Sequence, residues 1–274
     1  MKIRLLYLLL LLLLVACTDK DPEPEPTSTC RLNEVKMEGP EPWANWQQLS
    51  YDEQGRLARV VAPTIYNNAG DVITLHYDGA GRRSEMRVRI NDSGTYIRTQ
   101  YSHNAAGRLD ATTLQTVFDE NTIRHISSFA FHYTKGQLTS ILRSDLGSND
   151  PNMQVRYTYT YDGKKLVRIE STPLGRPDRK ETSVYTYDDK KRPDYLGMMP
   201  TLGDENRYYE DFLNPTGPHN VLSVSREHYY NGKLEQILIY RNTYTYNSQG
   251  YPTHQVVTFP SGEERRFTYT YDCD

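Results

Sequence analysis

The 274-residue sequence is poor in cysteine and tryptophan, with three and two residues, and it lacks the short motifs of common catalytic sites. No G-x-S-x-G, H-E-x-x-H, P-loop or C-x-x-C pattern is present. These absences exclude the usual signatures of serine hydrolases, zinc peptidases, nucleotide-binding proteins and thiol oxidoreductases. We therefore expect a protein that is not an enzyme and that uses no metal and no cofactor. Strands distant in sequence could still assemble a site on folding.

The titratable side chains show no spacing typical of metal ligands or of an acid–base pair. His125 and His132 are seven residues apart, which predicts opposite faces of one continuous strand. We interpret the histidines as cross-strand packing residues. Adjacent acids such as Glu263-Glu264 also point to opposite faces, whereas paired catalytic carboxylates must converge across about 5–10 Å.

Charge argues against nucleic acid as the partner. The formal net charge is -3, from 32 basic and 35 acidic residues, and it becomes -5 if Lys2 and Arg4 leave with an N-terminal leader. One basic run either binds an anionic polymer or forms one solvated sheet face with Asp78, Glu85 and Asp92 beside it. We favour the solvated face for this run, which comprises Arg82, Arg83, Arg87, Arg89 and Arg98.

Residues 1–16 are predicted to be a secretory signal peptide. A basic start is followed by twelve apolar residues from Leu5 to Ala16, which is too short for a membrane-spanning helix of about 20 residues. The run ends Leu14-Val15-Ala16-Cys17, which resembles the lipobox of bacterial lipoproteins. The resemblance implies cleavage before Cys17, acylation of that cysteine and attachment to a membrane. The alternative is an ordinary secretory signal in which Cys17 stands by chance.

Residues 17–29 form a predicted tether. Pro22, Pro24 and Pro26 alternate with acids, and extended polyproline II at about 3.1 Å per residue would reach on the order of 35 Å. The acids after Cys17, Asp19 and Asp21, resemble the surface-export signal of Bacteroidota lipoproteins. That resemblance implies a lipid-anchored protein of the outer membrane, at the cell surface or on the periplasmic face.

The two remaining cysteines, Cys30 and Cys273, stand at opposite ends of the predicted folded region, residues 30–274. In an oxidising envelope they can form a disulfide bond that joins the first and last strands. Two buried free thiols are the alternative.

A degenerate repeat runs through residues 30–274. An aromatic residue is followed by Asp or Asn, two further residues, Gly, a basic residue and Leu, as in Tyr51-Asp52-Glu53-Gln54-Gly55-Arg56-Leu57. Successive copies are 25 to 30 residues apart, except around Tyr230, where the spacings are 43 and 16. The copies begin at Tyr51, Tyr77, His103, Tyr133, Tyr161, Tyr187, Tyr230, Tyr246 and Tyr271.

The motif predicts turns between antiparallel strands. Asp or Asn at the start accepts hydrogen bonds from following amides, and Gly three positions later tolerates positive φ. Asn231-Gly232 and Asp162-Gly163 are typical of two-residue type I′ turns. Flanking segments such as Tyr157-Thr158-Tyr159-Thr160-Tyr161 alternate with a period of two, as strands do. We predict an all-β fold, a long antiparallel meander of roughly sixteen strands.

The Tyr-Asp-x-x-Gly-Arg-Leu unit resembles the YD repeat of rearrangement-hot-spot proteins. Together with the lipobox, it also resembles uncharacterised Bacteroidota lipoproteins whose domain of unknown function has a porin-like fold. The resemblance implies an architecture, and it brings no catalytic residues. Because a long meander leaves edges, we expect a sheet curled or closed into a barrel. A membrane pore is disfavoured, because many strands carry Arg, Lys and Glu where lipid-facing strands are apolar.

Two segments interrupt the repeat. Trp43 and Trp46 could form a stacking platform for sugar faces, or could cap the sheet. The irregular insertion at about 192–220, which contains Tyr208 and Tyr209, could carry a binding site, or could fill the curled sheet. We expect a lipid-anchored envelope protein that binds a glycan or another envelope component at these aromatic residues. The rival interpretation is a structural or protein-docking scaffold without a small ligand.

Overall fold

Sixteen consecutive strands form one antiparallel sheet, and the first strand lies beside the last. The computed structural model describes residues 30–38, 46–62, 71–89, 94–119, 122–145, 149–163, 165–193 and 219–273. The sheet closes into a barrel, as the sequence predicted. The strands are β1 (Cys30–Glu38), β2 (Trp46–Tyr51), β3 (Leu57–Ala62), β4 (Asp71–Tyr77), β5 (Arg83–Arg89), β6 (Tyr96–His103), β7 (Leu109–Val117), β8 (Ile123–Thr134), β9 (Gln137–Asp145), β10 (Gln154–Asp162), β11 (Lys165–Pro173), β12 (Arg179–Tyr187), β13 (Val221–Tyr230), β14 (Lys233–Tyr246), β15 (Pro252–Thr258) and β16 (Glu264–Cys273).

The inner face of the barrel is mostly apolar and the outer face is mostly polar. In β5, Met86 and Val88 are buried while Arg87 and Arg89 between and beside them are exposed, as the two-residue period of a strand requires. The buried residues form two hydrophobic clusters, one from β1–β5 and β13–β16 and the other from β7–β11. A membrane-spanning barrel has the reverse arrangement, with an apolar band on its outer face.

The repeat motif builds the turns in the predicted way. The Asp52 carboxylate accepts hydrogen bonds from the amides of Gln54, at 3.1 Å, and Arg56, at 2.8 Å. Gly55 has a φ of +76°, which an L-residue rarely adopts, and it lets the chain re-enter the ladder. The equivalent turn at Asp78 has the same bonds, and those from the Arg82 side chain and amide hold the pKa of Asp78 below its ordinary value.

The arginine of one motif also contacts the tyrosine of the next. The Arg56 guanidinium lies 4.2 Å from the centroid of the Tyr77 ring, and the Tyr77 hydroxyl donates a 2.7 Å hydrogen bond to the Leu57 carbonyl. Arg31 stands over Tyr51 and Arg108 over Tyr133 in the same way, each at 5.8 Å. These contacts link successive hairpins along one end of the barrel, which we call the motif end.

The copy that begins at Tyr230 is not part of this series. The β13–β14 turn after Tyr230 lies at the opposite end of the barrel, which we call the distal end, because hairpin turns alternate between the two ends. Its Asn231 and Gly232 have φ values of 51° and 72°, as a type I′ turn requires. The spacings of 43 and 16 therefore reflect a turn of the other end, and the prediction that Tyr230 begins another repeat was wrong.

One predicted turn is displaced by a residue. Asp162 pairs with Lys165 as the last residue of β10, so the two-residue loop is 163–164 rather than 162–163. Gly163 has a φ of 58°, which places it at the first position of the loop. Lys164 lies outside the described residues.

A disulfide bond between Cys30 and Cys273 joins the first and last strands, which confirms that prediction. Both cysteines stand at the motif end, where β1 begins and β16 ends. Farther along the same seam, the Thr268 hydroxyl donates a 2.7 Å hydrogen bond to the Glu38 carboxylate.

The insertion at 192–220 begins and ends within a motif turn between β12 and β13. Asp188 accepts a 3.1 Å hydrogen bond from the Lys190 amide and a 3.0 Å bond from the Asn220 amide, so Asn220 takes the place that Arg56 has beside Asp52. The sequence separation in that bond is 32 rather than 4, which makes the insertion 28 residues long. It starts after Lys191, which occupies the position of the motif glycine and donates its amide to the Gly250 carbonyl.

Candidate ligand-binding site

A cleft of about 480 Å³ opens at the distal end, where β11, β12, β13 and β14 meet. Its size is within the range of about 300–1,000 Å³ typical of small-molecule sites. Both faces of the sheet contribute to it, because it lies at the rim of the barrel. The lining residues are Ser171, Pro173, Arg179, Lys180, Glu181, His228, Tyr229, Tyr230 and Glu235.

Two neighbouring turns give the cleft its backbone. The type I′ turn at Asn231-Gly232 ends β13 at Tyr230, and the Asn231 amide donates a 2.8 Å hydrogen bond to the Asp178 carbonyl before β12. The β11–β12 connection is tightened by the Arg179 amide, which donates to the Arg176 carbonyl at 3.0 Å. The cleft is therefore held by turns that are bonded to each other.

A β-bulge directs Glu235 into the cleft. His228 pairs with Gln236 and Tyr229 with Leu234, so Glu235 is left between these two pairs without a partner on β13. A bulge bends its strand and re-aims the extra side chain. In this cleft the re-aimed group is a carboxylate.

Charged side chains are paired around the cleft. Glu181 and His228 stand directly opposite each other on β12 and β13, with the Glu181 carboxylate 3.7 Å from Nδ1 of His228. In a second ion pair, the Lys180 ammonium lies 3.3 Å from the Glu170 carboxylate. All four groups are partly exposed, so they can exchange these partners for hydrogen bonds to a ligand.

Tyrosine rings provide the apolar part of the wall. Tyr230 is 41 % exposed, and the Arg179 guanidinium lies 5.8 Å from its ring centroid. The Lys180 ammonium stands 5.1 Å from the Tyr229 ring. The Tyr229 hydroxyl donates a 2.7 Å bond to Glu227, and that bond raises the pKa of Tyr229. Ring faces beside carboxylates and cations suit a ligand that has both CH surfaces and hydroxyl groups.

The described part of the chain holds no group of three or more His, Cys, Asp or Glu side chains that could bind a metal ion. Within the same residues, no helix is long and apolar enough to cross a membrane.

Most of the predicted ligand-binding aromatic residues lie outside the part of the chain that the structure describes. Trp43, Tyr208 and Tyr209 lie outside the described residues, as does the predicted acylation site Cys17. The backbone of Trp46 begins β2, opposite Lys36. The strands that flank the tryptophan segment, β1 and β2, meet at the distal end, whereas β12 and β13 flank the insertion at the motif end.

Two interpretations of the sequence need correction. In the basic run, Arg83 shares the inner face with Tyr77 and lies 5.4 Å from the Tyr101 ring, so the five arginines do not form one solvated face. In β8 the pairing jumps from Ser127 to His125, and this bulge brings His125 to the same face as His132. Sequence period alone misses such bulges.

The cleft itself was missed because its residues are spread over 65 positions, from Ser171 to Glu235. The available signals were the Glu227-His228 and Tyr229-Tyr230 pairs before a strong turn. Both were overlooked because Tyr230 resembled another copy of the repeat.

Comparison with known proteins identifies the class of fold. No protein-family model and no curated protein matches this chain. The chain is similar to a porin-like protein from Bacteroides uniformis, with 16% identity and a TM-score of 0.55, over 90% of this chain and 98% of that one. A porin-like protein from Bacteroides vulgatus has 12% identity and a TM-score of 0.45, over 89% of this chain and 99% of that one. The first similarity shows that the sixteen-stranded barrel is a porin-like fold.

Proposed function

We propose that this chain is a lipid-anchored protein of the bacterial outer membrane whose barrel binds a glycan in the distal cleft. The observation that carries the proposal is the cleft itself, which is lined by the exposed Tyr230 ring together with Glu181, His228 and Glu235. A pyranose ring has an apolar CH face and a rim of hydroxyl groups. Aromatic surface with a few convergent polar groups is the arrangement that recognises such a ligand.

The distribution of side chains supports a barrel that stands in water rather than in the bilayer. Its outer face carries residues such as Arg87, Arg89 and Arg156, and its inner face is packed with apolar side chains. Lipid-facing strands require the opposite. An envelope location is supported by the signal and lipobox pattern, and by the similarity in fold to the porin-like protein from Bacteroides uniformis.

The chemistry that we propose is binding without catalysis. Glu181 is paired with His228, and Lys180, the next residue in the sequence, is paired with Glu170. The proposal needs no cofactor and no nucleic acid.

Glycan-array binding by the purified full chain tests the proposal, with Tyr230→Ala and Glu235→Gln as cleft variants. Tyr133→Ala is the matched control, because Tyr133 also lies under an arginine, Arg108 at 5.8 Å, but outside the cleft. Saturable binding that is lost in the cleft variants and kept in the control supports the site.

A Trp43→Ala/Trp46→Ala double variant separates the two predicted locations of the site. If binding is lost only in this variant, the site belongs to the β1–β2 segment and the cleft assignment is wrong. If the chain binds no glycan on the array, the scaffold interpretation replaces the proposal.

A further inference from the structure

Three arginines stand in one cross-strand row on the outer wall of the barrel. Arg59 on β3 pairs with Thr74, Thr74 pairs with Arg87 on β5, and Arg87 pairs with Arg98 on β6. Directly opposed residues of antiparallel strands share a face, so all three side chains point outwards beside exposed Arg89. With strands about 4.8 Å apart, the row from Arg59 to Arg98 spans about 14 Å. We call Arg59, Arg87, Arg89 and Arg98 the arginine row.

The row is unfavourable for the isolated protein. Arg87 and Arg98 are like charges directly opposite each other, an arrangement that destabilises a sheet. Arg87 is paired with Glu85, whereas both Nε and Nη2 of Arg98 donate to the uncharged Gln115 side chain, at 3.0 and 2.7 Å. Among the described residues, no carboxylate lies within ion-pair distance of Arg59, Arg89 or Arg98.

The surrounding wall does not neutralise the row. The outward positions of β3, β4, β5 and β6 carry these four arginines and one acid, Glu85. That is a local charge of +3 on a chain whose formal net charge is -3. A basic strip on an acidic protein favours a particular anionic ligand over general attraction to polyanions.

We propose that the arginine row binds an acidic polysaccharide, a linear glycan that carries carboxylate or sulfate groups. Guanidinium groups match both anions because they donate two parallel hydrogen bonds. The row runs across the strands and so around the convex wall of the barrel. A flexible chain can follow that curve, whereas a flat bilayer touches a cylinder along its axis.

This proposal concerns an acidic glycan on the outer wall of the barrel, and it does not depend on glycan binding in the distal cleft. The test measures binding of the purified full chain to heparin, polygalacturonate and neutral dextran, and to vesicles of phosphatidylglycerol and phosphatidylcholine. The row variant is Arg59→Gln/Arg87→Gln/Arg98→Gln. The control, Arg156→Gln/Arg241→Gln/Arg266→Gln, removes the same charge from exposed positions on other strands.

We expect heparin or polygalacturonate to bind to the arginine row with higher affinity than neutral dextran does. Added salt should weaken the binding of the acidic glycans, because the arginine row is exposed to solvent. The row variant should lose at least about tenfold in affinity, while the control triple variant and Tyr230→Ala stay within about twofold. Equal loss in both triple variants, no binding of either acidic glycan, or preference for the vesicles would overturn the proposal. Loss in Tyr230→Ala with an unaffected row variant would support the cleft alone.

Discussion

Removal of the 28-residue insertion tests whether the barrel depends on it. The change deletes residues 192–219, which joins Lys191 to Asn220, and adds Lys191→Gly to restore the motif glycine. Asp188 would then accept from the Lys190 and Asn220 amides as Asp52 does from those of Gln54 and Arg56. The turn hydrogen bonds should survive, because the residues that form them remain.

The expected change in stability follows from the loop and from Lys191. Shortening the connection from 32 to 4 residues reduces the entropy lost on closing it, which favours folding by about 1.5–2 kcal/mol. Against this, Lys191→Gly removes the contact of the Lys191 ammonium with the Tyr251 ring, at 5.5 Å, worth about 0.5–1 kcal/mol. We expect the free energy of unfolding to be unchanged or raised by about 1 kcal/mol.

Urea unfolding followed by circular dichroism measures this difference. The matched control is the same deletion with Lys191 retained. We expect it to be less stable than the glycine variant by about 1–2 kcal/mol, because the shortened turn would require at residue 191 the positive φ that Gly55 has, which lysine disfavours. A glycine variant that loses more than about 3 kcal/mol, or that does not fold, would refute the argument that the insertion is independent of the turn.

Three further predictions concern the disulfide, the repeat and the tyrosines. Reduction of the Cys30–Cys273 disulfide should lower the free energy of unfolding by up to about 5 kcal/mol, measured from the shift of the denaturant midpoint. A Cys30→Ser/Cys273→Ser variant should not respond to the reductant. An unchanged midpoint in the reduced parent protein would contradict this prediction. Arg56→Ala should lower the free energy of unfolding in urea by about 1–2 kcal/mol, because it removes the contacts with Tyr77 and Asp52. The control Arg266→Ala breaks a largely exposed pair with Glu264 and should cost less than about 0.5 kcal/mol. Equal effects of the two variants would count against the inter-hairpin contact. Burial raises the pKa of Tyr185 to about 12, so the unfolded chain loses the Tyr185 proton at a lower pH than the folded chain does. The free energy of unfolding should therefore fall between pH 10 and pH 12, by on the order of 2–3 kcal/mol. Tyr185→Phe should flatten this part of the profile of stability against pH, and an unchanged profile would contradict the assignment.

The sequence predicts this fold well wherever structure is decided by neighbouring residues. The Asp52 turn, the strand alternation around Tyr157 and the strand number all follow from local hydrogen bonding and the two-residue period. The disulfide could also be predicted, because two cysteines remained at the ends of a meander that tends to close.

The predictions that were wrong depend on register or on which end of the barrel a turn occupies. A single bulge in β8 reverses the relative orientation of His125 and His132. Tyr230 resembles a repeat because it precedes a good turn, although that turn lies at the distal end. The cleft requires four strands in register, which no pattern within one strand can show.

The two ends of the barrel differ in how far their polar side chains are already used in hydrogen bonds within the turns. At the motif end, the Asp52 carboxylate is used by the Gln54 amide and by the amide and side chain of Arg56, and that arginine also covers the ring of Tyr77. These groups are occupied in holding the turn, so they have little capacity for a ligand. At the distal β13–β14 turn the arrangement is different, because a bulge directs Glu235 into the cleft while Tyr230 stays exposed. A barrel built from this repeat can therefore change residues around its distal β13–β14 turn without disturbing the hydrogen bonds of the motif turns.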